Sequence, residues 1–315
     1  MQQRRVGSTG LSVSRLGLGT WGWGTRVDEH EARDQLSAFV AAGGTLVDTA
    51  AGYGNGISEG VLGGLLGSVI SRDEVVISTK AGLSEADGGW PKDTSRGTLL
   101  RQLDASLRRL GVDSVDLWQV HDWSDATPIE ETLDAVDYAV RSGRVMYAGI
   151  SNYCGWQTAQ AATWQRAQPH RAPLAVTQIE YSLVNRAVEQ EVLPAALAMG
   201  LGVFAWGPLG GGVLSGKYRT GIPIDSRAAY EPMADSVVPY LDDPSSRIVG
   251  AVARAAEGLG WTPAQVALTW VRDRVGMTAP IVGPRTTEQL RSLLASEDRS
   301  LPGELTAALD DASER

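Results

Sequence analysis

Short apolar runs rich in β-branched residues recur along the sequence about every thirty residues, which is the length of one strand–helix unit. Amphipathic segments fill the gaps between these runs, and a glycine follows several of them, as is common where a helix ends. Strands that alternate with helices predict a parallel sheet, and eight of them predict a closed (β/α)8 TIM barrel. The runs begin near Leu16, Leu46, Val75, Val115, Val145, Ala175, Leu201 and Ala279.

The predicted barrel takes up the whole chain. Because α/β barrels often run past about 200 residues as one unit, we expect a single domain over residues 1–315. The alternation of residues 3–14 around Ser8-Thr9-Gly10 predicts a hairpin before the first barrel strand. Residues 207–244, after the seventh strand, form a segment longer than most loops, which is typical of a segment that covers a ligand. Helices are predicted over 29–41, 59–66, 99–110, 129–140, 156–166, 189–199, 247–259, 262–271 and 303–312.

Four titratable residues lie at or just beyond the ends of three neighbouring predicted strands. Asp48 ends the second run, Lys80 ends the third, and His121 follows the fourth. Tyr53 lies in the glycine-rich loop that comes after Asp48. Since the C-terminal ends of barrel strands converge on one face, we expect these four side chains to share one catalytic site.

Together, these four residue types could deliver a proton to a carbonyl oxygen. A tyrosine hydroxyl has an ordinary pKa of about 10, and a neighbouring cation lowers that pKa by favouring the ionised form. We therefore expect Lys80 to lower the pKa of Tyr53 and Asp48 to keep the Lys80 ammonium charged and in place. His121 could hydrogen-bond a substrate oxygen. This arrangement suits proton donation to a carbonyl oxygen while hydride reaches the carbonyl carbon.

Charge and composition argue against several classes of protein. A net charge of −9 and a pI near 4.9 argue against a nucleic-acid partner, because phosphate binding needs clustered Lys and Arg. The single cysteine, Cys154, leaves no internal disulfide and fits a reducing compartment. No run approaches about 18 apolar residues and no secretion signal is evident, so we expect a cytoplasmic protein without a membrane span. No histidine pair has metal-ligand spacing, so we expect no metal site.

Several motifs, taken together and in order, are similar to those of the aldo-keto reductase superfamily. They are Asp48-Thr49-Ala50, Tyr53-Gly54, Ser58-Glu59, Ser78-Thr79-Lys80, Asp116-Leu117 with His121, Gly149-Ile150-Ser151-Asn152 and the segment from Trp206 to Tyr218. The resemblance runs from about Leu16 to about Leu294. It implies a barrel enzyme that uses hydride from NAD(P)H to reduce an aldehyde or ketone to an alcohol. A small carbonyl compound, or an alcohol in the reverse direction, is therefore the expected substrate.

The resemblance also implies where the nicotinamide cofactor binds. Trp206 takes the place of the aromatic residue that stacks on the nicotinamide, and Ser151, Asn152 and Gln178 match residues that hold its carboxamide. Arg285, at a helix start after the eighth strand, could fork onto a 2′-phosphate, so we expect NADPH, with NADH not excluded. The expected cofactor-binding residues are Gly19, Thr20, Trp21, Asp48, Ser151, Asn152, Gln178, Trp206, Gly207, Pro208, Leu209, Gly211, Lys217, Gly283, Arg285 and Gln289.

Tryptophans are expected at the mouth of the substrate pocket. Several fall at predicted strand ends or in loops of the catalytic face, where they either pack at the rim or offer a stacking surface for sugars or aromatic carbonyls. The expected substrate-pocket residues are Trp21, Trp23, Tyr53, Trp90, His121 and Trp123. Two positions depart from the family's pattern, since Leu293 and Ile179 stand where relatives usually carry asparagine.

Two nucleotide-binding motifs occur in the sequence without their required surroundings. Gly17-Leu18-Gly19-Thr20-Trp21-Gly22 matches the GxGxxG pattern of a Rossmann fold, but the next predicted helix begins only near Asp28 instead of at these glycines. Residues 211–217 match a P-loop, but Tyr218 replaces the Ser or Thr that would bind magnesium. Both motifs are therefore weak evidence for those folds.

Two other classes of function stay open. Glu180-Tyr181-Ser182-Leu183 and Arg186 also resemble potassium-channel β subunits, which suggests a cofactor-bound regulatory or scaffold subunit with little turnover. A barrel hydrolase or isomerase could use Asp48 and His121 without any nicotinamide. The sequence makes no prediction of the oligomeric state.

Overall fold

Eight parallel strands form the closed barrel that the sequence predicts, and each begins within two residues of its predicted start. The computed structural model describes residues 1–86 and 89–314. The last strand pairs with the first through Ile281 and Gly17, where a side chain at position 17 would lie 2.4 Å from that of Ile281. Glycine therefore permits the barrel to close. The strands are β1 Gln3–Arg5 and β2 Ser12–Ser14, then β3 Gly17–Gly19, β4 Leu46–Asp48, β5 Val76–Ala81, β6 Val115–Val120, β7 Val145–Ser151, β8 Leu174–Glu180, β9 Gly202–Trp206 and β10 Met277–Val282.

The antiparallel hairpin of β1 and β2, which the sequence also predicts, covers the N-terminal end of the barrel. Val6 and Val13 are fully buried and pack with side chains inside the barrel, such as Leu117. Gly7 has a φ of +54°, and a side chain there would lie 2.4 Å from the carbonyl oxygen of Gly200. The backbone is therefore in close contact with the barrel, and the C-terminal ends of the strands form the opposite face.

Helices surround the sheet and enclose a second layer of core. Leu117 and Trp118 are neighbours on β6 whose side chains point to opposite faces, and they belong to the inner and the outer core respectively. The helices are α1 Glu29–Ala41, α2 Ile57–Leu65, α3 Arg96–Leu110, α4 Ile129–Arg141, α5 Gly155–Ala167, α6 Val192–Ala198, α7 Glu231–Ala234, α8 Asp243–Leu259, α9 Pro263–Arg272, α10 Thr287–Leu294 and α11 Gly303–Ala312. None of the helices in the described ranges is long and apolar enough to cross a membrane.

The helix predicted over 189–199 is shorter than expected. It begins only at Val192, after a 3-10 turn over Ala187–Glu189. Proline lacks an N–H and clashes with the residue four positions earlier in a helix, so Pro194 is tolerated only in the first turn. A continuous helix from residue 189 would have placed Pro194 beyond that turn. The proline therefore sets the start of α6.

Residues 207–244, which the sequence marks as an unusually long segment, lie at the C-terminal face. The segment contains a 3-10 turn over Gly210–Ser215, the short helix α7 and a second 3-10 turn over Val238–Tyr240. Gly211 and Gly212 have positive φ values of +64° and +98°. Both ends of the segment reach Glu180 at the end of β8, because the Tyr240 hydroxyl donates to its carboxylate at 2.6 Å and Gly207 packs against its side chain.

Candidate active site

Asp48 and Lys80 form a buried ion pair at the C-terminal face of the barrel. Asp48 is 2% exposed and Lys80 is fully buried, and the Lys80 Nζ atom lies 2.5 Å from Asp48 Oδ2. The other carboxylate oxygen, Oδ1, accepts hydrogen bonds from Ser78 Oγ at 2.9 Å and from Gln178 Nε2 at 3.0 Å. Buried charges are costly unless they are paired and hydrogen-bonded, and both conditions are met for Asp48.

The Lys80 ammonium connects Asp48 to Tyr53. Its three N–H groups face three acceptors, since Nζ also lies 3.0 Å from the Thr49 carbonyl oxygen and 3.4 Å from the Tyr53 hydroxyl oxygen. Burial alone would lower the pKa of Lys80, but the nearby Asp48 carboxylate and Tyr53 more than offset this effect, so the pKa is raised. Lys80 therefore carries its charge next to the tyrosine.

Tyr53 lies in a tight turn between β4 and α2. Gly54 and Asn55 follow it with φ values of +54° and +50°, and Asn55 exchanges hydrogen bonds with the backbone of Glu85. Burial raises the pKa of Tyr53, and Lys80 opposes this effect without reversing it. The expectation that Lys80 gives Tyr53 a lowered pKa is therefore wrong, because the loss of hydration in the pocket outweighs the effect of the ammonium. Tyr53 stays protonated at neutral pH and can act as a donor.

His121 packs beside the ring of Tyr53. The ring centroids are 5.8 Å apart and the planes are nearly perpendicular. Burial and, to a smaller extent, Lys80 lower the pKa of His121 well below its ordinary value, so the imidazole is neutral at pH 7. Its Nδ1 atom is enclosed without a hydrogen-bond partner among the described residues, whereas Nε2 is not enclosed in this way. A neutral ring with its proton on Nε2 could donate to a substrate oxygen.

Two of the tryptophans predicted for the substrate pocket form an aromatic group with Tyr53. The Trp21 ring is 6.3 Å from that of Tyr53 and 6.5 Å from that of Trp90, measured between centroids. Trp123 follows His121 by two residues and packs edge-on against Tyr153 at 5.2 Å and against Trp156 at 5.3 Å. Trp156 is 59% exposed, so this aromatic group reaches the molecular surface.

The prediction that Trp23 lines the substrate pocket is wrong. It is 1% exposed, belongs to the outer hydrophobic core and donates its indole N–H to Gln35 Oε1 at 3.0 Å. The loop after β3 turns back at Trp23, whose amide donates to the Thr20 carbonyl oxygen, and the side chain points into the protein. Trp23 is therefore a core residue that cannot form a wall of the pocket mouth.

A cavity of about 710 Å³ lies between the long segment 207–244 and the ends of β3 and β10. The loop residues that the resemblance assigns to the cofactor are among those that line it. They are Gly19, Gly207, Pro208, Leu209, Gly211, Lys217, Gly283, Arg285 and Gln289. Leu293, which departs from the family's pattern, also lines the cavity.

The other residues predicted for the cofactor lie closer to the four predicted catalytic residues. Asn152, with a φ of +59°, accepts a hydrogen bond from the Trp206 indole N–H at 2.9 Å and donates from Nδ2 to the His121 carbonyl oxygen at 3.0 Å. Ser151 is buried, and its hydroxyl oxygen has no hydrogen-bond partner within residues 1–86 and 89–314. Thr20 differs, because it is fully buried and its hydroxyl is engaged by Ser58 at 2.6 Å.

Several cavity residues were missed by the sequence analysis. Arg227 lies with its guanidinium over the Trp21 ring, 5.6 Å from the centroid, and donates to the Gly283 carbonyl oxygen at 2.9 Å. Ser226 is buried, and its hydroxyl oxygen lacks a partner in the part of the chain that the structure describes. Asp225, which was also missed, forms an ion pair with the predicted residue Arg285. The sequence signal was a long segment with basic residues, which predicts a ligand but does not show which side chains point inward.

The charge of the cavity lining differs from that of the whole protein. Four basic side chains contribute to the lining, against two acidic ones, although the net charge of the protein is −9. These six residues are Arg26, Lys217, Arg227, Arg285, Asp225 and Glu288. A lining with an excess of cations suits an anionic ligand. Within the described ranges, no group of three or more His, Cys, Asp or Glu residues could hold a metal ion.

Comparison of the sequence with known protein families identifies the family of this chain. The sequence model of the aldo/keto reductase family matches residues 15–314. The chain belongs to the aldo/keto reductase family. Members of this family generally use NAD(P)H, and the membership supports carbonyl reduction in general terms.

Three relatives illustrate the range of this aldo/keto reductase's neighbours. The uncharacterized oxidoreductase YrpG of Bacillus subtilis is 36% identical over 99% of this chain and 95% of its own length. A probable voltage-gated potassium channel subunit beta of Oryza sativa is 35% identical over 92% of this chain and 89% of its own. The L-glyceraldehyde 3-phosphate reductase of Escherichia coli K12 is 35% identical over 92% of this chain and 86% of its own.

Proposed function

We propose that this aldo/keto reductase is an NADPH-dependent enzyme that reduces an aldehyde or ketone to an alcohol, with Tyr53 as the general acid. The observation that carries the proposal is the position of the Tyr53 hydroxyl, 3.4 Å from the Lys80 ammonium and next to the neutral His121 ring. A structural ion pair of Asp48 and Lys80 would not require a tyrosine and a histidine at the same place. The single cysteine supports a cytoplasmic location, because it fits a reducing compartment.

The four residues have separate tasks in the proposed reaction. When bound, the nicotinamide supplies the hydride that reaches the carbonyl carbon. Tyr53 donates its proton to the carbonyl oxygen, and the Lys80 ammonium stabilises the phenolate that is left. His121, neutral and with Nε2 available, orients the carbonyl by a hydrogen bond. Asp48 keeps the ammonium charged and fixed during the transfer.

The site also fits a nicotinamide dinucleotide. The unpartnered Ser151 hydroxyl, next to Asn152 and close to Trp206, offers a hydrogen bond that a carboxamide would satisfy. The basic lining of the cavity supports the binding of the phosphates. We propose that Arg285 leaves Asp225 to bind the 2′-phosphate, since the guanidinium fork matches a phosphate and this pair is largely exposed.

Replacing the proposed acid tests the function directly. Tyr53→Phe removes the hydroxyl and keeps the ring, so kcat for carbonyl reduction should fall by at least about a hundredfold, while the Kd for NADPH changes little. The measurement is steady-state NADPH oxidation over a panel of aldehydes and ketones, with fluorescence titration for the Kd. Tyr147→Phe, another loss of one hydroxyl from a tyrosine outside the site, is the matched control. Near-normal turnover of Tyr53→Phe would remove Tyr53 from this role.

The names of the relatives help to choose the carbonyl compounds in the substrate panel. Because one relative is named L-glyceraldehyde 3-phosphate reductase, glyceraldehyde 3-phosphate and unphosphorylated glyceraldehyde should be tested alongside aromatic aldehydes. A second candidate function follows from the 35% identity to a probable channel β subunit. A scaffold subunit would bind NADPH tightly and show negligible turnover with every carbonyl in the panel, which separates it from the enzyme.

A further inference from the structure

The two oxygens of the Asp48 carboxylate have different partners. Oδ2 receives the Lys80 ammonium at 2.5 Å, whereas Oδ1 receives Ser78 Oγ at 2.9 Å and Gln178 Nε2 at 3.0 Å. Ser78 and Lys80 lie two positions apart on β5, so both side chains point to the same face of the sheet. Gln178 approaches from β8, on another side of the barrel. The carboxylate is therefore held in one orientation from two directions.

Gln119 fixes the direction of the Ser78 hydroxyl. It lies on β6, fully buried, and its Nε2 donates to Ser78 Oγ at 2.9 Å. A hydroxyl has one proton to donate, and because Gln119 supplies a hydrogen bond to the Ser78 oxygen, the proton of Ser78 is directed to Asp48. The chain of donors therefore runs from Gln119 through Ser78 to Asp48.

The arrangement leaves one acceptor unsatisfied. Gln119 Oε1 is buried and has no hydrogen-bond partner within the described portion of the chain. Unsatisfied buried polar atoms destabilise a protein, and departures of this kind are expected where they serve function. An apolar residue at position 119 would avoid the unsatisfied oxygen. It would also leave the Ser78 hydroxyl without a fixed direction.

We propose that Ser78, supported by Gln119, is a positioning residue for proton delivery by Tyr53, an inference that rests on the proposed carbonyl reductase function. Ser78, together with Gln178, holds Oδ1 so that Oδ2 alone binds the Lys80 ammonium. The ammonium then keeps its other N–H groups for Thr49 and Tyr53. Without Ser78, Gln178 is the remaining donor to Oδ1, and the more weakly held carboxylate can turn and draw the ammonium toward both of its oxygens. The contact with Tyr53, already 3.4 Å, would lengthen.

The test compares the loss of two buried hydroxyls. Ser78→Ala should lower kcat for carbonyl reduction by about tenfold to a hundredfold, since small displacements of reacting groups have effects of this size. The Kd for NADPH should stay within about twofold of wild type, because Ser78 is not placed at the cofactor. The solvent deuterium isotope effect on kcat should rise, since proton delivery becomes slower relative to the other steps. A purely structural role would leave that isotope effect unchanged.

Thr177→Val is the matched control. Thr177 is fully buried on β8, and its hydroxyl oxygen has no partner in residues that the structure describes, so this variant should keep both kcat and the isotope effect. Gln119→Met, of similar volume, should lower kcat in the same direction as Ser78→Ala. It should add little in the Ser78→Ala background, because the two residues act through one another.

The outcomes separate this inference from the proposed function. Wild-type protein that reduces no carbonyl in the panel would overturn the proposed function and the inference with it. The inference alone would be overturned if the wild type is active and two variants, Ser78→Ala and Gln119→Met, match Thr177→Val in kcat and isotope effect. If Ser78→Ala does not fold, Gln119→Met decides the question by the same two measurements.

Discussion

Tyr53 and His121 together set the expected pH dependence of reduction. Burial raises the pKa of Tyr53 above its ordinary value and lowers the pKa of His121 well below its ordinary value. Reduction needs the protonated tyrosine, which is present below its pKa, and the neutral histidine, which is present above its pKa. We therefore expect kcat at saturating NADPH to stay level from about pH 7 to about pH 10. A kcat that already falls as the pH rises above neutrality would contradict this assignment of protonation states.

Arg285 is the residue on which the cofactor preference is predicted to depend. Arg285→Ala removes the guanidinium proposed for the 2′-phosphate, so the Kd for NADPH should rise by about tenfold or more, whereas the Kd for NADH should change little. Fluorescence titration with both cofactors measures this difference. Arg291→Ala, on the helix α10 that follows Arg285 and outside the cavity lining, is the control. Equal weakening of both cofactors would refute the 2′-phosphate assignment.

For single residues, the sequence predicted which side chains lie at the site better than it predicted their burial and pKa. Asp48, Lys80 and His121 could be expected to meet, because strand ends of a barrel converge whatever the details of packing. The direction in which the pKa of Tyr53 shifts could not be expected. It depends on whether the loss of hydration at the hydroxyl outweighs the effect of the Lys80 ammonium. Trp23 and Arg227 show the same limit, because whether a loop side chain turns into the core or toward a cavity is decided by tertiary contacts.

The helix α2 contains glycines in two different surroundings. Gly63 packs against the end of α3, where an added Cβ would lie 2.2 Å from the Arg109 carbonyl oxygen, whereas Gly60 has nothing within 4 Å. Gly63→Ala should therefore destabilise the protein by about 1–3 kcal/mol through overpacking, despite the better helix propensity of alanine. Gly60→Ala should stabilise it by about 0.5–1 kcal/mol. Urea unfolding of both variants measures the difference, and equal effects would contradict this packing.

Elements with strong periodicity were predictable, and elements set by single contacts were not. The strands were located within two residues because apolar runs of the right length recur between helical segments. The short helix α7 lies inside the long segment 207–244, where no periodic pattern marks it. The start of α6 followed from Pro194, a local rule that the predicted boundary did not apply.

The cavity joins parts of the chain that are far apart in sequence. Gly19 ends the first barrel strand, Gly207 follows the seventh and Gly283 follows the eighth, and all three line the cavity. We propose that residues 1–315 unfold as one domain, and that NADPH at a hundred times its Kd raises the free energy of unfolding by about 2.7 kcal/mol. Tryptophan fluorescence and far-UV circular dichroism should give one coincident urea transition with and without NADPH. Two separate transitions would contradict a single domain.

The N-terminal hairpin has a consequence for how the protein is made. Arg4 donates to the carbonyl oxygen of Met277, which lies 273 positions later, and Gly7 packs on Gly200. At a translation speed of about 5–20 residues per second, the ribosome needs about 14 to 55 seconds to synthesise the chain between these two residues. The hairpin must therefore wait, with Val6 and Val13 unburied, until the chain has been synthesised as far as the last barrel strand.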